Sequence, residues 1–194
     1  MLKVLTDSDY DLVPWKNGGG VTKDVFLYPP GSAHEDFEIR LSLAPITAEG
    51  PFSRFPGIDR RITRLSAAGL VLEFEHEAII LPRLQPLFFD SVLQPQSRLP
   101  DGPALVFNVM TRRGIWQSEV RTQENARDIE VHAPAGGYAI AYAVTGTWKA
   151  DGGKVLSAGE TLFLQDEAVA ALRSAGGDML TAQIFPGLSR SPRE

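Results

Sequence analysis

Hydrophobic residues along this chain recur at short, alternating spacings and almost nowhere at the three-to-four-residue spacing of an amphipathic helix. The clearest stretch is 37–44, where Phe37, Ile39, Leu41 and Leu43 alternate with Glu38, Arg40, Ser42 and Ala44. Successive side chains of a strand point to opposite faces, so this pattern predicts a strand with one packed and one polar face. Runs bounded by Gly, Pro, Asp and Asn predict further strands at 2–5, 24–28, 61–66, 70–75, 78–81, 87–93 and 104–111. His76-Glu77 supplies a turn between two of them, and residues 45–57, rich in Pro and Gly, read as a loop that takes in Arg60. Residues 122–128 are the one stretch that reads as a short helix or polar connector. Beyond 129 the same grammar returns: a strand at 138–144, a Thr145-Gly146-Thr147-Trp148 corner, a turn at Asp151-Gly152-Gly153, and strands at 154–156 and 158–164. The fold class is all-β.

A strand, a Gly-x-Trp corner, a short hairpin and a Gly159-Glu160-Thr161-Leu162-Phe163-Leu164 strand together resemble half of a cupin jelly roll, and residues 65–89 follow the same order. The expected architecture is a bicupin of two tandem cupin-like β-barrel lobes. The first spans residues 1–120 and carries a ligand pocket; the second spans 121–194. At 43% hydrophobic residues the chain has enough apolar surface for either lobe to bury a core.

Charge narrows the partners. The formal net charge is −5 and no long Lys or Arg run occurs, which argues against a nucleic-acid surface. The first eleven residues carry three aspartates without an apolar signal core, and no window has the length and apolarity of a membrane span, so a cytoplasmic location without membrane contact is expected. With no cysteine, disulfides, thiolate metal sites and thiol nucleophiles are ruled out. Metal-binding cupins place two histidines two residues apart on one strand; here His34, His76 and His132 stand far apart, so neither a metal nor another cofactor is expected. No Gly-x-Ser-x-Gly nucleophile elbow is present. Arginine, however, supplies 14 of the 19 basic residues, several inside strands. Arginine pairs bidentately with carboxylates and tolerates partial burial, so some of these side chains are candidates to line a pocket.

The most unusual stretch is Pro14-Trp15-Lys16-Asn17-Gly18-Gly19-Gly20-Val21-Thr22. Three glycines leave a run of N–H groups that no Cβ screens. One reading is a hairpin, with Asn-Gly as the turn and Trp15 as a core anchor. The other is a pocket wall, in which the bare N–H groups, Lys16 and Thr22 face an anionic group. A dinucleotide or phosphate loop is excluded because a strand follows the glycines where a helix is needed. Strand parity adds company: Arg40 and Ser42 share one face, as do Val106, Asn108, Met110 and Arg112, so a barrel lumen could collect Arg40, Ser42, Asn108 and Met110. The alternative is that these are solvated outer faces.

Taken in order, the Pro14-to-Thr22 motif, Arg40-Leu41-Ser42-x-Ala44, Gly50-Pro51-Phe52-Ser53-x-Phe55-Pro56-Gly57-Ile58-Asp59-Arg60 and Phe107-Asn108-x-Met110 resemble the HutD/Ves family, over most of residues 2–112. Beyond Arg113 the likeness rests on Gly146-Thr147-Trp148 and Gly159-Glu160. The resemblance implies a metal-free bacterial bicupin, often encoded with histidine-utilisation genes, that binds a small acidic metabolite such as formylglutamate or urocanate and acts in regulation. On that basis the expected ligand-binding residues are Trp15, Lys16, Asn17, Gly18, Gly19, Gly20, Thr22, Arg40, Ser42, Arg60, Asn108 and Met110. The competing reading is a metal-independent enzyme on the same fold that uses Lys16 or His34 as a base on a small carboxylate. A third is an assembly module whose lumen is plugged by Phe52, Trp15 and Met110. The partner expected is a small anionic metabolite, with a homodimer left open. Two positions depart from the family pattern: Val92 and Val106 stand where acidic residues are expected, which would leave Arg40, Arg60 and Lys16 less compensated if they face the lumen.

Overall fold

The computed structural model describes residues 1–14, 20–32 and 35–187. Over these residues the chain forms β1 (Leu2–Leu5), β2 (Asp11–Pro14), β3 (Val21–Tyr28), β4 (Ile39–Ile46), β5 (Gly50–Pro51), β6 (Ile58–Arg64), β7 (Val71–Glu73), β8 (Ala78–Ile80) and β9 (Leu87–Asp90). It continues with β10 (Gln96–Arg98), β11 (Ala104–Arg112), β12 (Trp116–His132), β13 (Tyr138–Ala143), β14 (Thr147–Ala150), β15 (Val155–Ser157), β16 (Thr161–Gln165) and β17 (Val169–Pro186). Helical structure among the described residues is limited to two single 3-10 turns, Asp7–Asp9 and Asp151–Gly153. None of it is long and apolar enough to cross a membrane.

The strands pair into three sheets. The first half supplies a six-stranded sheet in the order β2-β3-β4-β11-β6-β9 and a four-stranded sheet in the order β5-β10-β7-β8. The second half supplies most of a seven-stranded sheet, β1-β16-β13-β17-β14-β15, with β12 also on β17. The exception is β1, which leaves its sequence neighbours and pairs with β16 from Leu2 opposite Leu164 to Leu5 opposite Thr161.

Alternation then decides what each face packs against. On β13, Ala139, Ala141 and Ala143 turn to one side, joining Ile129, Val131, Trp148, Leu162 and Leu172 in a core within the seven-stranded sheet. Ile140 and Tyr142 turn to the other side, where Phe163, Leu180 and Ile184 meet Ile39, Leu41, Leu43, Phe107 and Val109 of the six-stranded sheet. The opposite face of the six-stranded sheet closes over the four-stranded one through Ala44, Ile46, Ile62, Leu72, Phe89 and Val106. The pattern read at 37–44 is borne out from Ile39 on: Ile39, Leu41 and Leu43 pack between the sheets, while Arg40 and Ser42 look the other way; Phe37 precedes the strand and packs instead with Phe55, Ile58 and Met110.

Two expectations are corrected. Residues 122–128 are neither a helix nor a connector; they lie within β12, paired to β17 with register shifts between Gln123, Ala126 and Asp128. Asn125 takes a φ of 47° there, and a Cβ on the facing Gly177 would stand 2.5 Å from the Thr145 carbonyl oxygen, so the bulge is built from residues that tolerate it. Arg60, read as part of a loop, lies inside β6.

Candidate functional site

The inward face of the six-stranded sheet gathers polar residues in two cross-strand rows. In the first, Asn108 on β11 stands opposite Ser42 on β4 and Ile62 on β6, and Ser42 in turn stands opposite Asp24 on β3. In the second, Met110 stands between Arg40 on β4 and Arg60 on β6, with Leu27 beyond Arg40 and Phe89 beyond Arg60. Directly opposed side chains in an antiparallel sheet lie about 5 Å apart at Cβ, and residues two positions on remain within reach of long side chains. Arg40, Ser42, Arg60, Asn108 and Met110 therefore converge, as strand parity requires. Thr22 is buried on β3 two residues before Asp24, on the same face, and Gly20 directly precedes that strand. Trp15, Lys16, Asn17, Gly18 and Gly19, with His34, lie outside the described residues.

The two arginines of the second row differ electrostatically. Arg40 is 4% exposed and anchored by Asp24, whose Oδ1 accepts from Nε at 2.8 Å and lies 2.8 Å from the terminal nitrogen. This acid, which sequence reasoning did not single out, is an inward neighbour of Thr22 by strand parity; that parity was the available signal. Arg60 is equally buried and has no acidic partner among the described residues. One terminal nitrogen donates to the Ser53 carbonyl at 3.2 Å, and Nε has no hydrogen-bond partner. The rings of Phe52, Phe55 and Phe89 stand 5.5–5.6 Å from its guanidinium carbon. Burial, with Arg40 close by, pushes the Arg60 guanidinium down to about 9, so it still carries its charge at neutral pH. The Oδ1 of Asn108 and the Oγ of Ser91, in the turn after β9, are also buried without partners. Buried polar atoms are nearly always hydrogen-bonded, so these three are exceptions, as are the Oγ1 atoms of Thr63 and Thr111 on the other face of the sheet.

Neighbouring side chains bound the arrangement. Met110 packs with Phe37, Phe55 and Ile58, so it shapes an apolar floor between the arginines. Val106 is fully buried on the same face among apolar neighbours, whereas Val92 lies in the turn after β9, where its N–H donates to Asp90 at 3.0 Å. Of the residues expected to be less compensated, Arg40 is paired with Asp24, Arg60 has no acidic partner among the described residues, and Lys16 lies outside them. His76 is exposed beside Glu75, and His132 pairs with Glu130 on the surface of β12, both remote in sequence from the arginine rows. The arrangement can hold an oxyanion against a guanidinium, and it can accept a hydrogen bond at Asn108.

The HutD family model matches residues 7–181. Protein Ves of Citrobacter koseri is 35% identical over 183 residues, covering 89% of this chain and 90% of that protein. The structure of HutD from Pseudomonas fluorescens SBW25, obtained in a formate condition, superimposes with a TM-score of 0.82 at 27% identity, covering 96% of this chain and 99% of that one. A bacterial pirin from Escherichia coli in complex with nickel(II) shares the fold alone, with a TM-score of 0.64 at 8% identity over 97% of this chain and all of that one. The fold is cupin-like, and the chain belongs to the HutD/Ves family.

Proposed function

We propose that this protein is a two-lobed cupin-like binding protein, with lobes over residues 1–120 and 121–194, whose first lobe holds a small acidic metabolite of the formylglutamate or urocanate kind in a regulatory role in histidine utilisation. The two-lobe reading draws on separate apolar cores, one around Ala44, Leu72 and Val106 and one around Ala141, Trp148 and Leu162. The histidine link draws on family membership. The observation that carries ligand binding is Arg60: a buried, charged guanidinium without an acidic partner among the described residues, beside the unpartnered Oδ1 of Asn108. A buried charge left uncompensated is costly, and a carboxylate placed on it removes that cost.

The test is a thermal-unfolding panel of acylated amino acids and imidazole acids. A ligand that binds only the native state at one hundred times its Kd adds about 2.7 kcal/mol, which raises Tm by about 5–10 °C in a chain of this size. The same ligand is expected to leave the Tm of Arg60→Met unchanged. If no member of the panel moves the wild-type Tm beyond buffer, the binding reading fails.

A further inference from the structure

On the opposite face of the six-stranded sheet lies an open groove of about 450 Å³. Its walls come from β6, β9 and β11 on one side and the first residues of β12 with Phe185 of β17 on the other. Adjacent strand residues point apart, so Arg60 and Arg61 serve different faces, and Arg61 lines this groove. A concavity of this volume suits a small metabolite.

Arg61 is held ready. Its guanidinium carbon stands 4.8 Å from the ring centroid of Phe88, and its Nε donates to the Ser118 carbonyl at 2.9 Å. Its two terminal nitrogens have no hydrogen-bond or acidic partner among the described residues. The other charges around the groove are spoken for: Arg113 lies 2.6 Å from Asp59 and 2.7 Å from Asp90, and Glu119 pairs with Arg121 at 2.8 Å. Arg113 is shared by two carboxylates, so the charges around the groove balance, and Arg61 is the cation of the lining without an acidic partner among the described residues. Thr111, which lines the groove opposite Asp59 and one pair along from Arg61 on the same face, is 1% exposed and its Oγ1 has no partner. Phe88, Trp116 and Phe185 supply aromatic walls, and Trp116 is fixed by its indole N–H donating to Glu38 at 2.8 Å.

From this geometry we infer a second ligand site, separate from the arginine rows, that takes a flat aromatic monocarboxylate. The carboxylate pairs with the two terminal nitrogens of Arg61, the Thr111 hydroxyl donates to the same group, and the ring lies against Phe88 and Trp116.

Calorimetric titration with benzoate tests it, with benzyl alcohol as a neutral analogue of similar shape. Benzoate is expected to bind at one site and benzyl alcohol not to bind. Arg61→Met should weaken benzoate about tenfold or more, as loss of a charge-assisted hydrogen bond does. Thr111→Val, which keeps the side-chain shape, should weaken it several-fold, and this variant keeps the test intact if Arg61→Met folds poorly. Arg60→Met should leave benzoate binding unchanged. The inference is overturned if millimolar benzoate gives no binding heat, if benzyl alcohol binds as well, if Arg61→Met or Thr111→Val binds benzoate like the wild type, or if Arg60→Met abolishes binding.

Discussion

Arg60 and Arg64 lie four residues apart on β6, share the inward face and are both buried, yet they do opposite things. Arg64 spends its donors on the chain itself: Nε donates to the Leu81 carbonyl at 2.8 Å, and Nη1 to those of Ser66, Ala67 and Ala68 at 2.8–2.9 Å. It ties the turn after β6 to the four-stranded sheet and is structural. Arg64→Met is expected to cost about 2–4 kcal/mol in urea unfolding, because several carbonyls lose their donor at once. Nothing in the sequence separates these two arginines, since both sit on one parity of one strand. The distinction depends on where the 66–68 turn and Leu81 return in space, a long-range matter. The same holds for the Asp24–Arg40 pair: parity places each residue on a face, but only the β3–β4 register, shifted by a bulge between Asp24 and Phe26, brings them into contact.

At the scale of elements, alternation was legible where one face is apolar and the other polar, as on β4, and illegible where both faces look polar, as in the middle of β12. Glu124, Asn125, Arg127 and Asp128 are all exposed there, so no period of two survives in the sequence. That bulge is also where the two halves of the molecule are clamped together. Arg83, just before β9, lies 2.7 Å from Asp178 on β17, and the Asn125 N–H donates to the same carboxylate at 3.0 Å. Desolvation pushes the Asp178 carboxyl up, but the Asn125 N–H and Arg83 together outweigh it and hold the group below the ordinary carboxylate value. A carboxyl whose pKa is lowered on folding stabilises the native state above its unfolded pKa, about 3.9, and that contribution is lost as pH falls through the lower folded value. The urea midpoint of the wild type should therefore drop between pH 6 and pH 3. Asp178→Asn should start lower at pH 6 and drop less over the same range; an equal drop in both proteins would remove Asp178 from the acid response.

Across the whole molecule, the second half draws on the first. Its sheet takes β1 from the N-terminus, and the buried Tyr10 hydroxyl reaches across to the Thr161 hydroxyl at 2.8 Å and the Gly159 carbonyl at 3.0 Å. Strand pairing between residues some 160 positions apart leaves no trace in local pattern, and so the sequence showed β1 as a strand without its partner. Large apolar side chains from both halves fill the layer between the six- and seven-stranded sheets, and the other face of the six-stranded sheet carries the arginine rows beside a further apolar cluster. An arginine kept buried and uncompensated on that face is the feature the account depends on. Replacing a buried charge by an apolar residue of similar length is often neutral or stabilising, whereas removing a structural partner is costly. The direct measurement is urea unfolding of Arg60→Met beside the wild type, without ligand and with the metabolite that raises the wild-type Tm. The unliganded variant is expected within about 1 kcal/mol of wild type or above it, with no response to the ligand. A variant destabilised by about 3 kcal/mol or more that still gains stability from the ligand would make Arg60 a structural residue and contradict the account.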